Sequence, residues 1–363
     1  MKSLTSWFVL IVSIAVIVSS CAKSDDSKTA TTSTDNTTSS SDDSSDNSTT
    51  TTDNSTSTSD NSSSSSSSSN PEIFVAVGYG GIVRSTDNGT TWDNATSPNA
   101  NTLYDVTFGN NTFVGVGLHG TIIRSTDNGT TWDNATDDIS SWDNATNKHL
   151  FNVVFGNNTF VAVSYSGFIM RSTDNGSSWD NATTDNSTTA NLWGVGFGNN
   201  TFVAVGDNGN VVRSTDNGAS WDNATTDNTT TQRLRRVFFG NNTFVAVGGL
   251  GHIIRSTDNG STWDNATISN ANYLNGLAFG NNTFMAVGDY GNIVKSTDNG
   301  STWDNATRPT TNDDTSRVAF GNNTFVVTGR NGTILTSSDN GTSWDNRTSA
   351  AATGSLAGIT FSE

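Results

Sequence analysis

The string S-T-D-N-G-x-x-W recurs seven times, with its aspartate at Asp87, Asp127, Asp174, Asp216, Asp258, Asp298 and, as S-S-D-N-G, Asp339. The intervals are 40, 47, 42, 42, 40 and 41 residues. A period of this length makes each repeat one small supersecondary unit, which can bury its faces only against its neighbours. Between the strings lies a second fixed unit, L-x-x-V-x-F-G-N-N-T-F-V-A-V-G-x-x-G-x-I-x-R. In the fourth repeat the two units predict four strands. The first is 192–197, the second 202–205 and the third 211–214, and Trp221 opens the fourth. Asn199-Asn200 is a pair suited to two positive φ values in a tight turn. Short apolar pieces of four to six residues, alternating or continuous, are what strands buried on both faces look like.

Four-stranded antiparallel units at this period are propeller blades. The ends of the repeat region complete each other. It opens at 73–77 with a second strand that lacks a first, and closes at 356–361 with a lone first strand. Pairing the two shuts a ring and removes the open edges that invite aggregation. The fold class expected is therefore all-β, a seven-bladed β-propeller closed by its N- and C-terminal strands and spanning 71–363. A monomer is expected.

The octapeptide resembles the Asp-box, or BNR, signature S-x-D-x-G-x-T-W of bacterial sialidases and related propellers. The aspartate is suited to accept hydrogen bonds from turn N–H groups, the glycine to take a left-handed conformation, and the tryptophan to bury a large ring between neighbours. Seven equivalent carboxylates on one rim are scaffolding rather than chemistry. Seven of the ten tryptophans, Trp92, Trp132, Trp179, Trp221, Trp263, Trp303 and Trp344, belong to these boxes. The Trp-Asp pair does not make a WD40 repeat, which also expects a Gly-His pair; the chain has three His. The fuller pattern V-G-x-x-G-x-I-x-R-S-T-D-N-G-x-T-W resembles the photosystem II assembly and stability factor family. That resemblance implies a seven-bladed Asp-box propeller that chaperones a membrane complex through a basic surface. The present sequence differs in charge, with 14 basic against 26 acidic residues in 71–363, and in a long Ser/Asp stalk.

Residues 1–20 read as a secretory signal peptide: Met1-Lys2, an apolar run over 7–18, then small residues. Val18-Ser19-Ser20-Cys21 resembles the lipobox of bacterial lipoproteins, which implies acylation of Cys21 and membrane lipid as a partner. Cys21 is the only cysteine, so neither an internal disulfide framework nor a cysteine zinc site exists. The protein is expected in the bacterial cell envelope, lipid-anchored and extracytoplasmic, with the outer membrane or cell surface favoured. Residues 21–70 are almost entirely Ser, Thr, Asp and Asn, too poor in apolar surface to offset the entropy of ordering. Such a linker spans about 40 Å on the coil estimate of ~5–6 Å × √n.

A propeller with these strands brings the loops from strand two to three and from strand four to one to one face. There the repeats differ, and a specific ligand has something to read. The two-to-three loops supply Tyr79, His119, Tyr165, Asp207, Asp289, Tyr290 and Arg330. The starts of the first strands supply Tyr104, Phe151, Trp193 and Arg235, with Arg236 beside them. Aromatic residues and arginine are enriched in binding surfaces. A second recurrent feature is a cation before each box, at Arg84, Arg124, Arg171, Arg213, Arg255 and Lys295, with Thr336 in the seventh copy. Regular spacing predicts a ring of cations within reach of the box carboxylates.

The formal net charge of −17, from 17 basic and 34 acidic residues, excludes nucleic acid as a partner, which needs clustered Lys and Arg. Sialidase chemistry needs a glutamate partner for its nucleophile and an arginine triad. The only glutamates are Glu72 and Glu363, and Arg308-Pro309 is not the entry motif of those enzymes. One carboxylate per Asp-Asn-Gly turn is too few for calcium, so neither metal nor cofactor is expected. The leading reading is a non-enzymatic, surface-anchored propeller that presents its variable face to a protein or glycan. The alternatives are a carbohydrate-active hydrolase using Asp105, Asp207 and Asp289, and an assembly chaperone for a membrane complex.

Overall fold

In the computed structural model the described residues are 72–79, 81–135, 149–184, 190–226, 232–268, 272–306, 314–347, 351–352 and 354–362. Cys21, the signal and linker segments, the 137–146 insertion and Arg308 lie outside them. Seven sheets, each with four antiparallel strands in sequence order, form the blades. We number the blades from the N-terminus. The innermost strands are Leu103–Gly109, Leu150–Gly156, Leu192–Gly198, Leu234–Gly240, Leu274–Gly280 and Thr315–Gly321 in blades 2 to 7. In blade 1 that place is taken by Leu356–Phe361, paired antiparallel with Phe74–Gly78 so that Phe74 faces Phe361 and Val77 faces Gly358. Ser362 closes the seam: its N–H donates to the carbonyl of Ile73 at 2.9 Å, and the Ile73 N–H donates to its Oγ at 2.8 Å.

The core is not one cluster but seven, each between two blades. Val161, Val163 and Ile169 of blade 3 pack on Leu192, Val195, Phe202, Ala204, Val212 and Trp221 of blade 4, and the same set recurs around the ring. This is why strand two reads F-V-A-V without alternation: one residue buries against the blade before, the next against the blade after. The Asp-box holds the outer corner. In blade 4 the Ser214 hydroxyl donates to Asp216 at 2.8 Å, while Asp216 also accepts the Ser220 N–H at 2.9 Å and its hydroxyl at 2.5 Å. The Trp221 indole N–H donates to the Gly218 carbonyl at 3.1 Å. Gly218 sits at φ +78°, with its missing Cβ aimed at Val161 of blade 3. Burial opposes ionisation of these carboxylates, but the hydroxyl and N–H donors outweigh it and hold them below the usual range; Asp298 reaches about 2.

The cations before the boxes do not pair with the box carboxylates; no such ion pair occurs among the described residues. The local turn donors already satisfy each box aspartate, and the cation lies instead in register with the aspartate of strand four, as Arg213 with Asp222. Arg255 reaches the Ser301 hydroxyl of the next box at 2.9 Å, and Lys295 reaches the Asn340 carbonyl at 3.2 Å. In blade 7, where Thr336 replaces the cation opposite Asp345, Arg347 stands two residues on and bridges Asp345 at 2.9 Å. A further device was absent from the sequence reading. After strand four, Thr225–Thr226 leaves blade 4 and pairs in parallel with the outer strand of blade 5 at Thr262 and Trp263. Thr183–Thr184 and Thr267–Ile268 do the same for blades 4 and 6. These straps cover outer edges that would otherwise be open.

Candidate functional site

Every innermost strand carries a bulge at its second residue. In blade 4 Leu192 lies opposite Gly206 and Gly194 opposite Val205, so Trp193 has no partner on the neighbouring strand. The same shift occurs in all seven blades. A bulge re-aims the extra residue, and here it delivers Tyr104, Phe151, Trp193, Arg235, Asn275, Ser316 and Ala357 to the channel mouth. The repeated residues around the bulge hold the blade; the bulged residue is different each time.

The mouth is a cavity of about 470 Å³, also lined by Tyr165, Arg233, Asp289, Asp314, Arg317 and Arg330. It has two unlike walls. On blades 2 to 4 the ring centroids of Phe151 and Trp193 are 4.2 Å apart, with Tyr165 edge-on to Phe151 at 4.5 Å and Tyr104 at 5.9 Å from it. His149 and His119 extend the cluster outward, 5.4 Å apart. Burial raises the Tyr104 hydroxyl and, with a smaller push from His119, lowers His149. At blades 5 and 7 the wall is cationic, built from Arg233, Arg235, Arg236, Arg317 and Arg330.

Most of the acidic candidates serve to place these groups. Asp207 accepts the Trp193 indole N–H at 2.8 Å and pairs with Arg233 at 2.6 Å, while Arg233 stacks over the Trp193 ring at 4.5 Å. Asp289 accepts from Asn275 at 2.7 Å, and Asn275 in turn accepts from Arg235. Asp314 pairs with Arg330 at 3.1 Å. Arg235, half-buried, is lowered chiefly by desolvation; Asp289 opposes the shift and Arg233 adds to it. Tyr79 and Tyr290 do not line the cavity: they stand 81% and 65% exposed on the surrounding rim. Tyr290, Leu250, Ser166 and His119 occupy left-handed loop positions, at φ between 52° and 59°, that asparagine fills in two other blades. A bulky side chain there carries strain that asparagine or glycine relieves.

Below the mouth lies a polar waist made by the third residue of each inner strand: Asp105, Asn152, Gly194, Arg236, Gly276, Arg317 and Gly358. Three of the four bulky members, Asp105, Arg236 and Arg317, stand against a glycine of the preceding blade. A Cβ on Gly194 would meet the Arg236 Cα at 2.9 Å, one on Gly276 the Arg317 Cα at 2.7 Å, and one on Gly358 the Asp105 Cα at 2.7 Å. The inner edges of these strands have no sheet partner, and the waist satisfies them. Arg236 donates to the Trp193 carbonyl at 2.6 Å and Arg317 to that of Asn275 at 2.9 Å. Asp105 accepts the Val153 N–H at 3.1 Å, and Asn152 that of Val195 at 2.7 Å. Asn152 also donates to Asp105, and Arg317 lies 3.7 Å from it. Burial pushes Asp105 up to about 6 against the pull of Arg317, and lowers Arg317 to about 10, still charged at neutral pH. Asp105 is thus a buried waist residue rather than a mouth carboxylate. With Asp207 and Asp289 each committed to a neighbour, the three do not form an acid–base pair for hydrolysis. Arg233, Asp314 and Arg317 escaped the sequence reading; only alignment of the third strand positions singles out Arg317.

A family model described as Photosynthesis system II assembly factor YCF48 matches residues 90–363. The propeller is also similar to a solved structure described as "YCF48 bound to D1 peptide", with a TM-score of 0.56 and 20% identity over 69% of this chain and 82% of the other. It is similar too to YCF48 from Cyanidioschyzon merolae, with a TM-score of 0.59 and 17% identity over 73% and 90%. No curated protein matches the sequence. At these identities the two solved structures speak for the fold.

Proposed function

Because the chain belongs to the photosynthesis system II assembly factor YCF48 family, which is not a family of enzymes, we propose that it is a binding propeller that holds a segment of a client protein in its channel mouth during assembly of a membrane complex. One observation carries this reading. In a chain of formal net charge −17, five arginines converge on one cavity opposite a wall of stacked aromatic rings. The related propeller described as bound to D1 peptide supports the choice of a peptide as ligand class. A client segment with a carboxylate beside an aromatic or aliphatic residue answers both walls at once. The carboxylate finds guanidinium groups in a partly desolvated site, where a charged hydrogen bond is worth more than in water. The apolar side chain lies on Phe151, Tyr165 and Trp193. Arg235, Arg236, Arg330, Tyr104 and Asp289 complete the site, while Tyr79, His119 and Tyr290 form an outer rim for the flanking residues.

Acylated Cys21 is the membrane anchor in this proposal. Residues 1–20 are the removed signal, 21–70 the spacer, and the cell-envelope surface the location. Replacing Cys21 by serine should abolish incorporation of labelled palmitate and release the protein from the membrane fraction; unchanged fractionation would refute the anchor. The binding reading is tested by placing a photo-crosslinking amino acid at Tyr165 in the full chain and identifying what it captures in the native membrane. Capture should disappear when Arg235→Glu or Trp193→Ala is added. Capture that survives both changes, with both variants folded, would refute the mouth as the binding site.

A further inference from the structure

On the other side of the waist the channel widens again into a second cavity of about 520 Å³, which opens at the face of the Asp-box turns beside Asn110. Its lining side chains differ from those of the mouth. The sixth residue of every inner strand is phenylalanine, from Phe108 round to Phe361, and each of these seven rings lines it. Six of the rings seat against a glycine of the preceding blade, as Phe239 against Gly198. At the fifth strand position the wall is cut back to small or branched residues, Thr107 and Gly196 among them. Phe238 alone fills its place, and it stands 38% exposed inside an otherwise buried strand.

The waist bounds the hollow on its inner side, and it is not electrically neutral. Arg236 and Arg317 line both cavities, and one carboxylate, Asp105, stands with them. Guanidinium nitrogens of both arginines are engaged by backbone carbonyls; the Nε of Arg317 faces Asp105 at 3.7 Å, but the Nε of Arg236 is buried with no hydrogen-bond partner. Arg236 is only 7% exposed. A buried donor left without an acceptor is costly, and that donor, beside an excess positive charge at the inner end of a vestibule ringed by phenylalanines, suits a ligand with an anionic head and a hydrocarbon chain.

We propose that the lower vestibule binds a single-chain amphiphilic carboxylate, a fatty acid anion, with its head at Arg236 and Arg317 and its chain along the phenylalanine ring. The site lies across the waist from the mouth and does not rest on the peptide reading. A head group there takes up the free Arg236 Nε donor and balances the charge that Asp105 leaves uncompensated. The cavity volume falls within the ordinary range for small-molecule sites.

The test is calorimetric titration of the full chain with sodium laurate below its micelle concentration, set against acetate and dodecyltrimethylammonium. Laurate should bind at one site per chain, at least tenfold tighter than the cationic amphiphile, with no saturable acetate binding. Arg236→Gln should weaken laurate at least tenfold. Thr107→Phe, which copies into blade 2 the residue that blade 5 already carries at Phe238, narrows the vestibule without touching the waist and should have the same effect. It decides the matter should Arg236→Gln not fold. Equal affinity for the cationic amphiphile would mean adsorption to apolar surface, and saturable acetate binding a small-anion site only. Absence of laurate binding, or unchanged affinity in Thr107→Phe, would equally overturn the proposal.

Discussion

Asp207→Asn is the smallest change that disturbs the aromatic-to-cationic junction of the mouth, and its cost follows from the hydrogen bonds. One oxygen of Asp207 accepts from both Trp193, at 2.8 Å, and Arg233, at 2.6 Å; the other accepts from the Asn191 amide at 2.8 Å. An asparagine can place its carbonyl where the first oxygen was, but its amide then faces the Asn191 amide, donor against donor. Asn191 cannot simply flip, because its own carbonyl accepts the Ser166 N–H at 3.0 Å. One hydrogen bond is therefore lost in any arrangement, costing about 1 kcal/mol. Loss of the Asp207–Arg233 ion pair adds at most about 1 kcal/mol, since the Arg233 side chain is 42% exposed and screened by water. The total, about 1–2 kcal/mol, lowers the melting temperature by roughly 2–8 °C in a domain of this size. The circular-dichroism melt of the full chain reads it directly. Capture of the client at the Tyr165 crosslinker should fall about tenfold, because Trp193 and Arg233 lose their common anchor. A melting temperature within 1 °C of the parent, together with unchanged capture, would show that Asp207 does not organise this junction.

The box tryptophans are repeated but not equivalent. Trp221 is fully buried with its indole N–H bonded, whereas Trp344 is half-buried with a free Nε1 and sits above Met285 where the other blades carry valine. Trp221→Phe should cost about 1–3 kcal/mol and Trp344→Phe under about 1 kcal/mol by denaturant titration; equal losses would contradict the packing. Two sets of carboxylates give the stability opposite pH slopes. Asp298 and Asp339, held at about 2 in the fold, contribute stability that is present above the unfolded value near 4 and lost as the pH falls from there towards 2. Asp105, raised by burial to about 6, binds its proton more tightly folded than unfolded, so its contribution to stability falls as the pH rises from about 4 to about 6. Asp105→Asn should flatten that limb in denaturant midpoints measured across this range, and a limb that keeps its slope would refute the assignment. Deleting residues 356–363 strips blade 1 of its inner strand and removes buried Leu356 and Ile359, each worth about 2–5 kcal/mol. Against a total stability of about 5–15 kcal/mol the truncated chain should fail to give a cooperative melt, and a normal melt would mean that the seam does not close the ring.

The blades were legible because their chemistry is local and repeats. Asn199-Asn200 takes φ values of 46° and 57°, as the dipeptide foretold, and Gly218 lies in the left-handed region that the box requires. The straps were not legible: a Thr-Thr pair carries no periodic signal, and only the neighbouring blade gives Thr225–Thr226 a partner. The bulge was written in the sequence but in a form easily passed over. Leu192 and Val195 are three residues apart, which in a regular strand sets them on opposite faces, yet both pack in the same interblade cluster. An L-x-x-V spacing whose two apolar residues must share one face calls for one extra residue between them. The aromatic wall and Arg235 were found because they occupy that extra position. Arg233, Arg317 and Asp314 were missed because they lie in a connecting loop, at the third strand position and before strand one, where they come together only when the ring closes.

The same bulge explains how one chain keeps rigid repetition and selective recognition apart. Residues on either side of it are fixed by the interblade cores, so a change there is felt by two blades. The bulged residue lacks a cross-strand partner, so Tyr, Phe, Trp, Arg, Asn, Ser and Ala all stand at that place around one ring without altering its geometry. Selectivity then rests on electrostatics as much as shape. Arg317, lowered only to about 10, keeps its charge across the physiological range. The exposed aspartates of the outer strands are screened by salt over about 8–10 Å, whereas the guanidiniums of the mouth and waist are partly withdrawn from solvent and screened less. An acidic segment is therefore repelled weakly by the propeller as a whole and attracted strongly by one end of its channel. Raising the salt concentration should slow its encounter more than it loosens the complex once formed.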